Sequence, residues 1–182
     1  FKRIIVLLAV ILAALSCSTT RVLQDGQYRL AKNKITVSND KTFNTGSLDA
    51  YLKQKPNSYF IFGWNPFLNV YNWSNGKGKG WDKFVQKIGV APVVYESDLV
   101  DATIENIENR LEYLGYYNST VSDTVIYKNR EATVKYNVTL GKQYPLNEIN
   151  YIIPDTVMAS IISKDSASIE IHKGKMLSES AL

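Results

Sequence analysis

The sequence predicts an α+β fold. An amphipathic helix is expected from Ser97 or Asp98 to Leu114, because apolar residues recur there at steps of three and four. Two strand-like segments joined by a turn follow it directly and indicate a β-hairpin. A helix followed by a hairpin, with shorter elements on either side, is typical of a small domain in which helices cover an antiparallel pair of strands.

The central helix is the clearest element of the chain. Acidic Asp98 and Asp101 lie in its first turn, where they complement the positive end of the helix. Gly115 comes directly after its last apolar residue and suits a left-handed cap. The apolar stripe comprises Val100, Ile104, Ile107, Leu111 and Leu114.

The hairpin is predicted from alternation. Asn118 to Lys128 forms the first strand, residues 129–131 the turn, and Ala132 to Leu140 the second strand. In the second strand Val134, Tyr136, Val138 and Leu140 share one face, and Lys135, Asn137 and Thr139 share the other. The sheet therefore buries one face.

The remaining elements are shorter. Ahead of the central helix we expect a strand at Ile35–Ser38, a helix at Leu48–Lys55 capped by Ser47 and stopped by Pro56, and a helix around Trp81–Ile88. After the hairpin we expect a strand at Asn147–Ile153, a helix near Val157–Ser163 and a weak strand at Ser168–His172.

The N-terminus has the layout of a bacterial lipoprotein signal. Lys2 and Arg3 precede a twelve-residue apolar run from Ile4 to Leu15, and the single cysteine, Cys17, follows. Twelve helical residues span roughly 18 Å, too little for a hydrocarbon core of about 30 Å. Residues 1–16 are therefore expected to be removed, leaving Cys17 as the lipid attachment site with a diacylglycerol and an acyl chain.

Two other interpretations of this segment stay open. An ordinary signal peptide could precede an incidental cysteine, or the apolar run could remain as a membrane anchor. Acylation explains an unpaired cysteine in an exported chain better than either. Residues 17–33, polar and without strong periodicity, are interpreted as a tether behind the lipid.

Composition argues against several functions. The formal charge of +4 falls to +2 without Lys2 and Arg3, which is too small to favour nucleic acid. One histidine, His172, and one cysteine do not form a usual zinc site or a nucleophilic triad. The glycine and lysine stretch at 76–80 lacks the Walker spacing. We therefore predict no catalytic residues, no metal and no cofactor beyond the lipid.

Aromatic residues are concentrated at 59–73, with seven rings in fifteen positions. Packing in a core is the favoured interpretation. The alternative is a docking surface for a partner or for the membrane interface, where Trp and Tyr suit a half-wet setting. The candidate docking residues are Trp64, Phe67, Tyr71 and Trp73.

Several motifs resemble those of a POTRA module. The helix ends in Leu-Gly-Tyr-Tyr117, a glycine-aromatic-aromatic joint, and the hairpin closes with Val-Thr-Leu-Gly-Lys-Gln-Tyr144. With the Lys-Gly-Lys-Gly-Trp81 loop, the Ile-Gly-Val-Ala-Pro-Val-Val-Tyr95 stretch and the lipoprotein start, the chain is similar to the TamL-type lipoproteins of Bacteroidota, within the BamA and TamA (Omp85) family.

This resemblance implies a β-α-α-β-β module, with a mixed three-stranded sheet and two helices, over residues 34–142. Residues 56–96 would form a long insert, and residues 143–182 the start of a second module. The family is not enzymatic, and the full-length chain would continue into a C-terminal membrane β-barrel. The protein would be lipid-anchored in the outer membrane, facing the periplasm.

The implied partners are outer-membrane lipid, unfolded outer-membrane client proteins and subunits of the assembly machinery. Because the second strand of a POTRA module lies at a sheet edge, the resemblance assigns client or partner binding by strand addition to Ser119, Val121, Asp123, Val125 and Tyr127. The alternative function is a free-standing outer-membrane lipoprotein that binds a small hydrophobic ligand in a pocket lined by the aromatic block. A hydrolase has the least support.

Overall fold

Three strands and four α-helices make up the described part of the computed structural model, which covers residues 19–58, 65–74, 78–150, 152–164 and 171–179. The fold class is α+β, as predicted. In chain order the elements are β1 (Arg29–Val37), a 3₁₀ helix (Thr45–Tyr51), α1 (Pro66–Tyr71), α2 (Gly80–Ile88), α3 (Ser97–Tyr113), β2 (Thr120–Lys128), β3 (Glu131–Thr139) and α4 (Thr156–Lys164).

The sheet is mixed and its strand order is β1-β3-β2. β1 runs parallel to β3, since the N–H of Arg29 donates to Arg130 O and the N–H of Ser38 donates to Val138 O, both at 2.9 Å. β2 and β3 form the antiparallel hairpin. The predicted mixed three-stranded sheet is therefore confirmed, and β3 is its central strand.

A two-residue turn joins β2 to β3. Asn129 and Arg130 have φ angles of 52° and 62°, the left-handed backbone of a type I′ turn, whose twist matches that of the flanking strands. Glu131, predicted within the turn, belongs to β3 instead. The hairpin prediction is confirmed, although β2 begins at Thr120 rather than Asn118, where φ is 60° and the backbone is not extended.

α3 is the predicted central helix. Its buried residues are Val100, Thr103, Ile107 and Leu111. The expected stripe is corrected at two positions: Ile104 and Leu114 are only partly buried, and Thr103 takes the place of Ile104 in the interior. The predicted cap is confirmed, since Gly115 has a φ of 88° and the N–H of Tyr116 donates to Leu111 O at 2.9 Å.

The chain divides into two units, and each strand contributes residues to both. The first comprises Phe1–Lys34, Gln54–Leu99 and Thr124–Lys135, and the second comprises Ile35–Lys53, Val100–Asp123 and Tyr136–Leu182. Buried apolar residues of the first unit include Leu23, Leu30, Leu68, Val85, Ala132 and Val134. Those of the second include Leu48, Ile107, Leu111, Tyr136, Val138 and Leu140.

The segment expected to be a tether is partly structured. The prediction of a tether over 17–33 is wrong from residue 29 onward, because Arg29–Val37 is a strand where only Ile35–Ser38 was expected. The first half of this strand contains polar residues, so the sequence pattern does not indicate a strand there. Leu30 and Ala31 are nevertheless buried, and the N–H of Leu30 donates to Val93 O at 2.7 Å.

The first predicted helix is misplaced. A 3₁₀ helix at Thr45–Tyr51 replaces the α-helix expected at Leu48–Lys55. Its cap is Asn44, whose side chain accepts from the N–H of Gly46, rather than Ser47. The chain is already extended at Leu52, which ends the helix before Pro56 could.

The described part of the predicted insert at 56–96 contains two helices. α2 confirms the helix expected around Trp81–Ile88. α1 was missed, although Asn65 caps it by accepting from the N–H of Leu68 and Pro66 occupies its first turn. The asparagine cap and the proline are both visible in the sequence, but each is a signal from a single residue.

The C-terminal part was predicted as the start of a second module. α4 confirms the predicted helix, but Asn147–Ile153 is not a strand in its described residues. The pairing involves flanking segments instead: Leu146 N–H donates to Lys175 O and Leu177 N–H donates to Tyr144 O, both at 2.8 Å. The weak strand expected at Ser168–His172 is absent from residues 171–172, and its first three residues lie outside the described part.

Candidate functional site

β2 lies at one edge of the sheet, with β3 on one side only. Its burial alternates weakly, and Val121 is its one buried residue. An edge strand leaves every second residue with a backbone N–H and C=O that its neighbour does not use.

The register of the hairpin identifies those residues. Val138 O accepts from Ser38 N–H at 2.9 Å, so the backbone groups of Val138 face β1. The two-residue turn places Val121 opposite Val138. Because the backbone groups of Val138 point to β1, the backbone N–H and C=O of Val121 point away from β3. Because the pattern repeats every two residues, Asp123, Val125 and Tyr127 also direct their backbone groups outward.

A side chain from α3 already occupies the first outward donor. The N–H of Val121 donates to Glu108 Oε1 at 2.9 Å. Glu108 could not be predicted from the sequence, because its separation of thirteen residues from Val121 carries no local signal. This carboxylate limits where an added strand could begin.

The next three outward donors are open. Within the described ranges, no hydrogen bond reaches the outward N–H groups of Asp123, Val125 and Tyr127. The Tyr127 ring packs on Tyr28 with centroids 4.5 Å apart, and Tyr95 lies edge-on to it at 5.8 Å. This end of β2 is therefore held in place by aromatic contacts while its backbone faces outward.

Ser119 has a different role from the one predicted. It precedes β2, and its hydroxyl donates to Tyr116 O at 2.8 Å and accepts from Gly141 N–H at 2.9 Å. A side chain on Gly141 would meet the backbone of Tyr117, so this approach requires glycine. Ser119 thus fixes the joint before the strand and is not part of the edge.

The other edge of the sheet is covered where β1 begins. Arg29 pairs antiparallel with Val94, and Tyr95 N–H donates to Tyr28 O at 2.8 Å. The Arg29 guanidinium also pairs with the Glu131 carboxylate at 2.5 Å, with its side chain 6% exposed. This coverage distinguishes the start of β1 from β2.

Of the candidate docking aromatics, the three that the structure describes are not buried. Phe67 and Trp73 are 47% and 46% exposed, and Tyr71 is half-buried. Trp64 lies outside the described residues. For the rings that the structure describes, the favoured interpretation as core packing does not hold, because the buried residue of α1 is Leu68 and the buried residue at its C-cap is Asn72.

A pocket of about 510 Å³ lies in the first unit. Tyr71 is the candidate aromatic that lines it, together with Val22, Leu23, Pro92 and polar Gln86. Its volume is in the range of ligand sites, but Phe67 and Trp73 are not in its lining. Among the described aromatics of the block, Tyr71 alone lines this pocket.

The remaining candidate chemistry is sparse. Cys17 lies outside the described residues. His172 is exposed, with its Nδ1 3.1 Å from Lys173 O. Within the described part of the chain, no three His, Cys, Asp or Glu side chains are grouped to hold a metal ion. No described helix has the length and apolar character needed to cross a membrane.

Comparisons with known proteins give the family. No curated protein matches this chain. A crystal structure of Haemophilus influenzae BamA POTRA3-5 is similar at 10% identity, over 88% of this chain and 84% of that chain, with a TM-score of 0.31. Residues 32–141 match the POTRA family, described as surface antigen variable number repeat. The chain therefore belongs to the POTRA family.

Proposed function

We propose that this chain is the periplasmic POTRA region of an outer-membrane protein assembly or translocation factor of the Omp85 family. It binds client or partner chains by strand addition along β2. The observation that carries the proposal is the row of outward, unused N–H groups on Asp123, Val125 and Tyr127. Membership of the POTRA family supports it.

Strand addition suits partners of varied sequence. The bonds join backbone to backbone, so any extended segment without proline can form them. Each contributes about 0.5–1.5 kcal/mol net, and three outward residues therefore support weak, reversible binding. The exposed side chains of Ile126 and Tyr127 add apolar contact for alternating client strands.

The proposal includes a lipid anchor at Cys17 and a place in the outer membrane, facing the periplasm, as in TamL-type lipoproteins. Two lipid signals hold a protein stably at a membrane, whereas one acyl chain is marginal. A diacylglycerol and an additional acyl chain on Cys17 satisfy that requirement. The anchor would keep the β2 edge near the site where client chains arrive.

The direct test is proline substitution at Val125. Its N–H faces outward, so Val125→Pro removes a donor from the edge without removing a hairpin bond. The probe is a ten-residue synthetic peptide with the alternating pattern of an outer-membrane strand. We expect a severalfold loss of affinity, up to about tenfold, measured by fluorescence anisotropy, with the circular dichroism unchanged.

Val125→Thr is the matched control, because it changes the side chain and keeps the N–H. We expect this variant to bind the peptide almost as tightly as the natural chain. Equal binding by Val125→Pro and Val125→Thr would show that the peptide does not pair with β2.

The alternative function, a lipoprotein that binds a small hydrophobic ligand, rests on the pocket beside Tyr71. It predicts uptake of a hydrophobic fluorescent probe that Tyr71→Ala abolishes. Replacing exposed Phe67 would serve as its control. Saturable uptake lost only in Tyr71→Ala would favour the ligand function over strand addition.

A further inference from the structure

α2 presents an apolar stripe to solvent. Trp81, Phe84 and Ile88 are 57%, 54% and 47% exposed. Spacings of three and four place them on one face of the helix, and the rings of Trp81 and Phe84 lie 5.8 Å apart. Three large apolar side chains on one short exposed helix require a partner or a lipid surface to explain them.

The adjoining face of α2 is well packed, so the stripe is not an effect of a loosely placed helix. Val85 is buried, and a side chain on Gly89 would lie 2.5 Å from the backbone N of Tyr71. The N–H of Val90 donates to Phe67 O at 3.0 Å. α2 is thereby fixed against α1 with its apolar stripe turned away.

The charge around this stripe is positive. Lys79, Lys83 and Lys87 are exposed, and Asp82, the acidic residue of α2, is buried. At about 100° per residue, Lys87 lies about 60° around the helix from Phe84. Lys83 lies further around the helix on the same side, about 100° from Phe84. An apolar stripe with lysines along one side is complementary to an anionic lipid surface rather than to an acidic groove without apolar contacts.

The residues that follow Cys17 pack beside the same helices. Thr20 and Leu23 are buried, and Val22 N–H donates to Asn72 Oδ1 at 3.3 Å. Four residues lie between Cys17 and Val22, and the five steps that join them reach about 18 Å at most. A lipid on Cys17 would therefore enter the membrane close to α2.

We propose that the exposed face of α2 binds the interface of an anionic phospholipid bilayer. Trp81, Phe84 and Ile88 enter the boundary between headgroups and acyl chains, and Lys83 and Lys87 contact the headgroup phosphates. This contact is separate from strand addition at β2, so either can fail without the other.

The test uses Trp81 as the reporter. The substitutions Trp64→Phe and Trp73→Phe leave Trp81 as the single tryptophan of the full chain. The protein is mixed with vesicles of phosphatidylethanolamine and phosphatidylglycerol, or of phosphatidylcholine alone, containing brominated lipid. We expect a blue shift and severalfold stronger bromine quenching of Trp81 in the anionic vesicles.

The charge variant Lys83→Gln with Lys87→Gln should lose most of that quenching. Its matched control, Lys32→Gln with Lys34→Gln, removes two exposed lysines of β1 and should keep it. Equal Trp81 emission with and without vesicles would overturn the proposal. So would a blue shift that follows protein concentration in the absence of lipid, since the face would then bind a second copy.

Discussion

The Glu108 carboxylate accepts the outward N–H of Val121 at 2.9 Å, so a side chain from the central helix closes the first position of an otherwise open sheet edge. Native edge strands are commonly blunted by charges or coverage, because unpaired backbone groups promote aggregation. Here the carboxylate covers the backbone N–H of a single residue, Val121. The contact defines both the start of the open edge and the attachment of α3 to β2.

Removing this acceptor should destabilise the second unit. In Glu108→Ala the N–H of Val121, a residue only 9% exposed, loses its partner. We expect a loss of about 1–2 kcal/mol in the free energy of unfolding, measured by urea titration. Glu108→Gln keeps an oxygen acceptor and should lose less. Equal losses in the two variants would contradict a specific role for this bond.

Alkaline unfolding should depend on Tyr136. Burial raises the pKa of its phenol, Asp123 raises it further, and the hydrogen bond with Thr103 opposes them. The neutral phenol is therefore favoured in the folded state. Its contribution to stability is complete below the pKa of an unfolded tyrosine, about 10, and is lost as the pH rises above it.

Tyr136→Phe should accordingly reduce the loss of stability between neutral pH and about pH 11, measured by urea unfolding at each pH. It should also cost about 1 kcal/mol at neutral pH through the lost bond to Thr103. Tyr144→Phe, which changes an exposed ring, is the control. If both substitutions changed the pH profile equally, the Tyr136 phenol would not be the cause of the alkaline loss of stability.

Gly89 should tolerate no side chain. A Cβ there would lie 2.5 Å from Tyr71 N, so Gly89→Ala must push α1 and α2 apart. We expect the free energy of unfolding of Gly89→Ala to fall by about 1–3 kcal/mol. Gly80→Ala is the matched control, because no atom lies within 4 Å of the Cβ that it adds. Its thermal unfolding temperature should stay close to that of the natural chain. A neutral Gly89→Ala would contradict the close approach of the two helices.

The lipid anchor has its own test. Mass spectrometry of the N-terminal peptide from membrane-extracted protein should find Cys17 as the first residue, carrying a diacylglycerol and an acyl chain. Cys17→Ser should leave the apolar run uncleaved and without these masses. An unmodified Cys17 in the natural protein would contradict the lipid anchor. It would not contradict strand addition at β2.

The sequence predicts the elements whose signals are local and strong. α3 and the hairpin follow from periodicity, and Gly115 marks the end of the helix by the left-handed backbone that it adopts. The mixed strand order came from the family resemblance. Alternation alone does not state which strand pairs with which.

Other features depend on contacts between distant residues. The first half of β1 is polar in sequence and becomes a strand because Val93 and Arg130 accept its N–H groups. Glu108 reaches Val121 only because α3 and β2 meet after folding. Exposed Phe67 and Trp73 show that aromatic density in a sequence does not distinguish a core from a surface.

The most direct test of the central claim is amide hydrogen exchange of β2, followed by NMR with and without the alternating ten-residue peptide. Strand addition requires new protection at Asp123, Val125 and Tyr127, while Ser122 and Thr124, bonded to β3, are already protected. Protection that rises only around Tyr71 and α2, or nowhere in β2, would contradict binding at this edge.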